Sequence, residues 1–133
     1  QAARQTLPQT LELYYLSEGS LVQETLDKFL NEFYQAAKEA APREMCGLVI
    51  EQNNEQKWIL CENISENENN FQIDANLYTQ YMMTSNILYV VHSHYDQEIC
   101  KPSDYDIDNC NAMDIPYFIV SYPQKSHYLL EPK

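Results

Sequence analysis

Two histidines one residue apart, His92 and His94, close the apolar run "ILYVVHSH", and Ser103 and Asp106 follow on a polar stretch. In a strand, side chains two residues apart share a face. The two imidazoles can therefore offer nitrogens to one point about 2 Å from each, as zinc requires, while Ser93 between them points the other way. Asp106, on the helix predicted to follow, is placed to supply a third ligand. Two neutral histidines and one carboxylate leave a zinc ion an open position and a net positive charge. Catalytic zinc sites keep such a position for a water, whose pKa falls toward about 7 so that it can attack a carbonyl.

The same residues satisfy a plainer reading. Ser103 and Asp106 have the S-x-x-D spacing of a helix cap, and Pro102 just before them suits a loop ending. Histidines at a strand end are often only hydrogen-bonded. Taken separately, the two pairs leave the metal reading and the structural one level. The readings are also compatible, because Ser103 can cap the helix and still face the metal. A third feature lies upstream. Glu44 opens an apolar strand, and Gly47, one of only two glycines in the chain, follows three residues later. Glycine inside a strand weakens packing and marks the close approach of another backbone or a ligand. If that strand neighbours residues 87–94, the Glu44 carboxylate reaches a water held at the metal and serves as general base and proton shuttle.

Elements able to position these groups are legible along the chain. Ser20 is a predicted N-cap with Gln23 as its capping-box partner. Val22, Leu26, Phe29, Leu30, Phe33, Ala37 and Ala40 follow at helical spacing, and Pro42 bounds the far end. "MCGLVIE" (45–51) and "KWILCEN" (57–63) flank a polar "QNNEQ" turn and predict a β-hairpin. "ISENENN" (64–70) reads as a solvated acidic loop, "FQI" as a short strand, and "DANLYTQYMMTS" (74–85) as a helix capped by Asp74. The run 87–94 lacks alternation and predicts a central strand buried on both faces. Residues 103–114 predict a helix, and "PYFIVSYP" with "HYLLE" two last strands. The order predicts a mixed α/β domain over 21–133, with helices covering one sheet. Residues 1–20 read as an arm or the remnant of a preceding segment, with "LELYYL" (11–16) as a strand or an arm.

Composition sets the bounds. A chain of 133 residues is long enough for one core and too short for two ordinary domains. Its net charge of −12 argues against a nucleic-acid or anionic-membrane surface, both of which need a positive footprint, and suits a basic partner segment. No apolar run reaches transmembrane length, and no basic-then-apolar leader opens the chain. Gln1 in place of Met reads as a trimmed chain or a piece of a longer protein. Cys46, Cys61, Cys100 and Cys110 are widely spaced without a C-x-x-C pair. They read as reduced cysteines of a cytoplasmic protein, with neither a disulfide framework nor a thiolate zinc site.

"EMCGLVI" followed by "VVHSHYDQEICKPSDYD" resembles the JAB/MPN metalloprotease domain of the JAMM type, whose pattern runs E-x-x-G, H-[ST]-H, S-x-x-D. The resemblance covers roughly residues 22–131. It implies a cytidine-deaminase-like α+β fold and one zinc ion held by His92, His94 and Asp106. It further implies that Glu44 activates the water and that Ser103 helps to stabilise the tetrahedral oxyanion. The implied reaction is hydrolysis of a peptide or isopeptide bond, often next to the tail of a ubiquitin-like protein. "PREMCGLVI", "FQID" and "CNAMDIPYFIVSYP" are similar, more narrowly, to the front domain of phage tail-tip assembly proteins of the K type. Those often continue into an NlpC-type cysteine peptidase domain, and they imply host cytoplasm or virion tail as the location. Two departures bear on substrate fit rather than on the ligands: Tyr95 stands where the family usually has Pro, and the loop from His94 to Ser103 is one residue longer. Tyr95 is accordingly a candidate substrate contact.

The remaining chemistry-bearing residues read as structural. Cys100 is a loop thiol without a role, since the motifs of a zinc deaminase are missing. Cys46 is a small core residue rather than a nucleophile, and His127 is an edge or surface histidine. Two functions remain open: a zinc-dependent metallopeptidase or isopeptidase, and a non-catalytic tail-assembly or scaffold module on the same fold.

Overall fold

The computed structural model describes residues 19–133. The arm expected at the N-terminus, including "LELYYL", lies outside them. α1 spans Gly19–Ala40, so Ser20 stands inside the first turn and not at the cap; the side chains of the expected capping box fall outside the described residues. α1 buries Leu26, Phe29, Phe33, Ala36 and Ala37, the i, i+3, i+4, i+7 stripe of an amphipathic helix. Phe33 meets Trp58 edge-on at 4.8 Å and Phe118 at 5.7 Å. Pro42 ends the helix as expected, because it cannot continue the hydrogen-bond ladder.

Among the described residues five strands form one sheet in the order β2-β1-β3-β4-β5: β1 (Cys46–Gln52), β2 (Glu55–Cys61), β3 (Asn86–Tyr95), β4 (Tyr117–Tyr122) and β5 (His127–Leu130). Only β3 and β4 pair in parallel, across the crossover that carries α3. α1 covers one face, over Val49, Tyr89, Val91, Phe118 and Val120. α2 (Ala75–Thr84) and α3 (Asp104–Met113) cover the other, over Cys46, Leu48, Ile50, Val90 and Tyr117. Both faces are sealed, so β3 has no solvent side, which explains its unbroken apolar run.

The hairpin turn is tighter than "QNNEQ" suggested. Gln52 pairs with Glu55, and Asn53 and Asn54 both have positive φ, 55° and 64°. That is the two-residue turn whose twist matches its strands. Gly47 answers the expectation of a close approach: a Cβ there would meet the Ile59 carbonyl and the Trp58 ring. What comes close is the hairpin's own second strand and its indole.

"FQI" is not a strand. Asn63 is the hub of the loop before it: Nδ2 donates to the carbonyls of Glu44 at 2.9 Å and Asn70 at 3.1 Å, and Oδ1 accepts from the amides of Ser65 at 3.0 Å and Gln72 at 3.1 Å; Arg43 adds a bond to the Ser65 carbonyl at 2.8 Å. The Gln72 amide is taken by the Asn63 side chain and its carbonyl by the Ile64 N–H at 2.9 Å, so the segment pairs with its own loop and not with the sheet. It delivers Phe71 into the core instead.

Candidate metal centre

Register brings the site together. In the antiparallel β1–β3 pair Cys46 lies opposite His92, and two residues further that alignment sets Glu44 opposite His94. The junction is fastened by Ser93, whose amide donates to the Met45 carbonyl at 3.0 Å and whose Oγ accepts the Met45 N–H at 2.8 Å. Ser93 is thereby spent on structure, while the even-numbered side chains face α3. Ligand atoms of Glu44, His92 and His94 all lie within 4.8 Å of one another, and all three residues are buried.

α3 supplies the fourth group. Ser103 is its N-cap: Ser103 Oγ accepts the Asp106 N–H at 3.0 Å, and the Asp106 carboxylate accepts the Ser103 N–H at 3.0 Å. The capping box expected from S-x-x-D is formed, and it aims the Asp106 carboxylate at the histidines. Asp106 Oδ1 lies 3.0 Å from His92 Nε2, and Oδ2 lies 3.1 Å from His94 Nε2. The capping contacts are present, and the same Asp106 carboxylate lies against both histidines.

His92 decides how well the cluster suits an ion. It is fully buried, and neither ring nitrogen has a hydrogen-bond partner among the described residues. Nε2 lies 3.0 Å from Asp106 Oδ1 as an ion-pair contact. Leaving such atoms unpaired costs about 1–3 kcal/mol each, and a cation among Nε2, His94 and the carboxylates removes that cost for Nε2. The donor set, two imidazoles with carboxylates, is one that zinc accepts. Packing fixes the His92 ring: Phe71 stacks on it at 4.4 Å and Tyr117 meets it edge-on at 5.7 Å. His94 is set instead by a hydrogen bond between Nδ1 and Gln97 Oε1 at 2.9 Å. An oxygen accepts there, so Nδ1 carries the proton and Nε2 is left for the cluster when the ring is neutral.

Titration follows from the same contacts. Burial pushes Glu44 up to about 8, His94 opposes that, and the Asp106 charge adds to it. Burial also holds His92 below its ordinary value against the pull of Asp106. For His94 burial works downward, but the Asp106 and Glu44 carboxylates outweigh it and the net shift is upward. Asp106 ends well below the usual carboxylate range, because its two histidines and the Ser103 N–H overcome burial. Such opposed shifts in one buried cluster make it a functional-site candidate.

The sequence profile of Prok-JAB, the prokaryotic homologs of the JAB domain, matches residues 26–130. The chain belongs to this family. Over 93 residues, 69% of its length, it is 30% identical to the tail tip assembly protein K of Escherichia phage N15, and it spans 38% of that protein. Its fold is that of a JAB1/MPN domain protein from Archaeoglobus fulgidus, with a TM-score of 0.55 and 22% identity over 77% of this chain and 83% of that one. It is also that of a structure described as JAMM, a metalloprotease-like zinc site in the proteasome and signalosome, with a TM-score of 0.52 and 20% identity over 79% and 82% of the two chains.

The JAB domain thus brings Glu44, His92, His94, Ser103 and Asp106 to one place and leaves the other candidates in structural positions. Cys46 is buried in β1, with its thiol pushed up to about 12 by burial. Cys100 is buried too, its Sγ donating to the Ile119 carbonyl at 3.4 Å and its pKa likewise pushed up to about 12. All four cysteines are free. His127 is on the edge strand but half-buried, its Nδ1 3.2 Å from the Tyr34 hydroxyl and its ring 5.3 Å from Phe118. Tyr95 ends β3 and is 48% exposed. No helix among the described residues is long and apolar enough to cross a membrane. Sequence reasoning missed Asn63, Phe71 and Gln97, which hold the Glu44 backbone, the His92 ring and the His94 ring.

Proposed function

We propose that this JAB domain is a zinc-dependent metallopeptidase or isopeptidase, with His92, His94 and Asp106 as the ligands. The observation that carries the reading is the buried convergence of Glu44, His92 and His94, with Asp106 spanning both Nε2 atoms. When bound there, zinc supplies Lewis-acid polarisation of a carbonyl and activation of a water. Glu44 takes a proton at its carboxylate and gives it to the leaving amine. A pKa raised by burial suits that role, and a cation nearby draws it down toward the working range. Ser103 donates its hydroxyl proton toward the developing oxyanion. That proton is free, since Oγ already accepts the Asp106 N–H. Gln97 holds His94 in the tautomer that faces the cluster, and Tyr95, exposed at the end of β3, contacts the substrate. The substrate is a protein or peptide, either a component of phage tail assembly or the tail of a ubiquitin-like protein.

The relative's description as a tail tip assembly protein favours a second reading, in which the domain is a non-catalytic assembly module. Glu44→Gln separates the two. Under the peptidase reading it leaves zinc content and Tm unchanged and abolishes cleavage of peptide and isopeptide substrates. A wild-type protein that binds zinc, cleaves nothing in such a panel and is matched in every assay by Glu44→Gln belongs to the assembly reading.

A further inference from the structure

A cavity of about 270 Å³ opens between α2 and α3, floored by Val90 and Tyr117 of the sheet and lined by Phe71, Tyr78, Tyr105 and Met113 among others. Two of its walls belong to the metal centre as well. Phe71 is the ring stacked on His92, and Tyr117 is the ring set edge-on to it. Tyr105 precedes Asp106 on α3. The cavity therefore begins one ring thickness from a candidate metal ligand, about the reach of a residue or two of extended peptide. Its size suits one side chain: a cavity of about 150 Å³ holds a benzene ring, and pockets for drug-sized ligands start near 300 Å³.

Charge narrows the occupant. No lining residue is charged, in a chain with 20 acidic and 8 basic residues. A charged side chain would lose its hydration there with nothing to pair with. The surrounding segment is strongly acidic. From residue 58 to residue 124, the stretch that builds α2, α3 and the loop carrying Phe71, Lys101 is the only basic side chain against ten acidic ones.

We propose that this cavity is a specificity subsite for a bulky apolar side chain, Phe or Leu in size, in a peptide whose neighbouring residues are basic. The inference rests on the peptidase reading for the bond cleaved, but the binding it describes can be read without catalysis. Thr79 and Ala75 are exposed residues of the lining, so a large side chain at either fills the cavity without entering the core.

The test titrates zinc-loaded protein carrying ¹³C-methyl methionine with N-acetyl-Lys-Phe-Lys amide, N-acetyl-Lys-Gly-Lys amide and N-acetyl-Glu-Phe-Glu amide. Met113 lines the cavity, and Met45, buried against α1 on the other face of the sheet, is the internal control. Expected is a shift of the Met113 methyl and not of Met45 with the Lys-Phe-Lys peptide. The Gly peptide should bind roughly tenfold to a hundredfold more weakly, as loss of a buried aromatic side chain implies. The Glu-flanked peptide should also bind more weakly, and the gap should close in high salt. Thr79→Trp should abolish the shift at unchanged Tm and zinc content. A still Met113 signal, equal binding of the Phe and Gly peptides, or undiminished binding by folded Thr79→Trp overturns the subsite. Should Thr79→Trp lower Tm, the Phe-against-Gly comparison in the wild type decides alone. Tight binding of the Glu-flanked peptide overturns the basic flank. Binding at Met113 without hydrolysis of any peptide defeats the peptidase reading and leaves the subsite standing. Hydrolysis indifferent to Phe or Gly does the reverse.

Discussion

Ser103→Ala separates two jobs assigned to one hydroxyl. As N-cap, Ser103 Oγ accepts the Asp106 amide at 3.0 Å, and losing a serine cap costs about 1 kcal/mol, within a range of about 0.5–2. Ser103 is exposed, so no cavity cost adds to this. For a domain of this size about 1 kcal/mol is worth roughly 3–6 °C in Tm. As oxyanion donor, the same hydroxyl carries much more: removing such a donor costs about 10²–10³ in kcat, roughly 2.7–4 kcal/mol. Stability and turnover should therefore fall by different amounts. Ser103→Asp sharpens the contrast, because aspartate caps a helix about as well as serine but, when ionised, has no proton to donate. The assay pairs calorimetry with kcat on a cleaved peptide at 25 °C, with zinc content checked in each variant. Expected are a Tm restored in Ser103→Asp and a kcat that stays low in both. A Ser103→Ala protein that loses Tm but keeps kcat within about twofold shows that the hydroxyl only caps. Recovery of kcat in Ser103→Asp refutes the donor argument as well.

Gly47→Ala sets a Cβ against the Ile59 carbonyl and the Trp58 ring, and a carbonyl of the partner strand cannot rotate away. Overpacking of this kind costs about 1–3 kcal/mol or more, and denaturant unfolding at wild-type midpoint would show the approach to be less tight. Zinc binding should release protons and weaken as pH falls. His92, lowered by burial, sheds its proton below the ordinary histidine value, while His94, raised by its carboxylates, sheds its own above it. The decline should thus begin above the ordinary histidine value of about 6.5 and continue below it, taking activity with it. Affinity and activity flat down to pH 5 would rule this out.

The parts of the fold that carry a period were readable in advance. β3 is apolar without alternation because helices seal both faces of the sheet, and α1 shows its buried stripe. α3 announces itself through a capping box whose Asp106 also lies against the two histidines. The parts that depend on distant polar partners were not readable. "NISENENNFQ" looks like solvated loop and strand, because nothing local reveals that Asn63 uses its whole amide to hold four backbone groups. Gln97 looks like any loop residue until the chain folds back to set it on His94. Phe71 reads as a strand residue, since its partner is an imidazole twenty-one positions away in the sequence. The residues that converge at the candidate site were legible from three short motifs, whereas the side chains that orient them became visible only in three dimensions.

The most direct test is metal content by mass spectrometry of the wild-type protein, purified without chelator, beside His92→Ala/His94→Ala. The account predicts about one zinc per chain in the wild type and none in the double variant, with both proteins folded by circular dichroism. A folded wild type that carries no zinc and takes up none on addition would contradict it, and the two histidines would then only finish a strand.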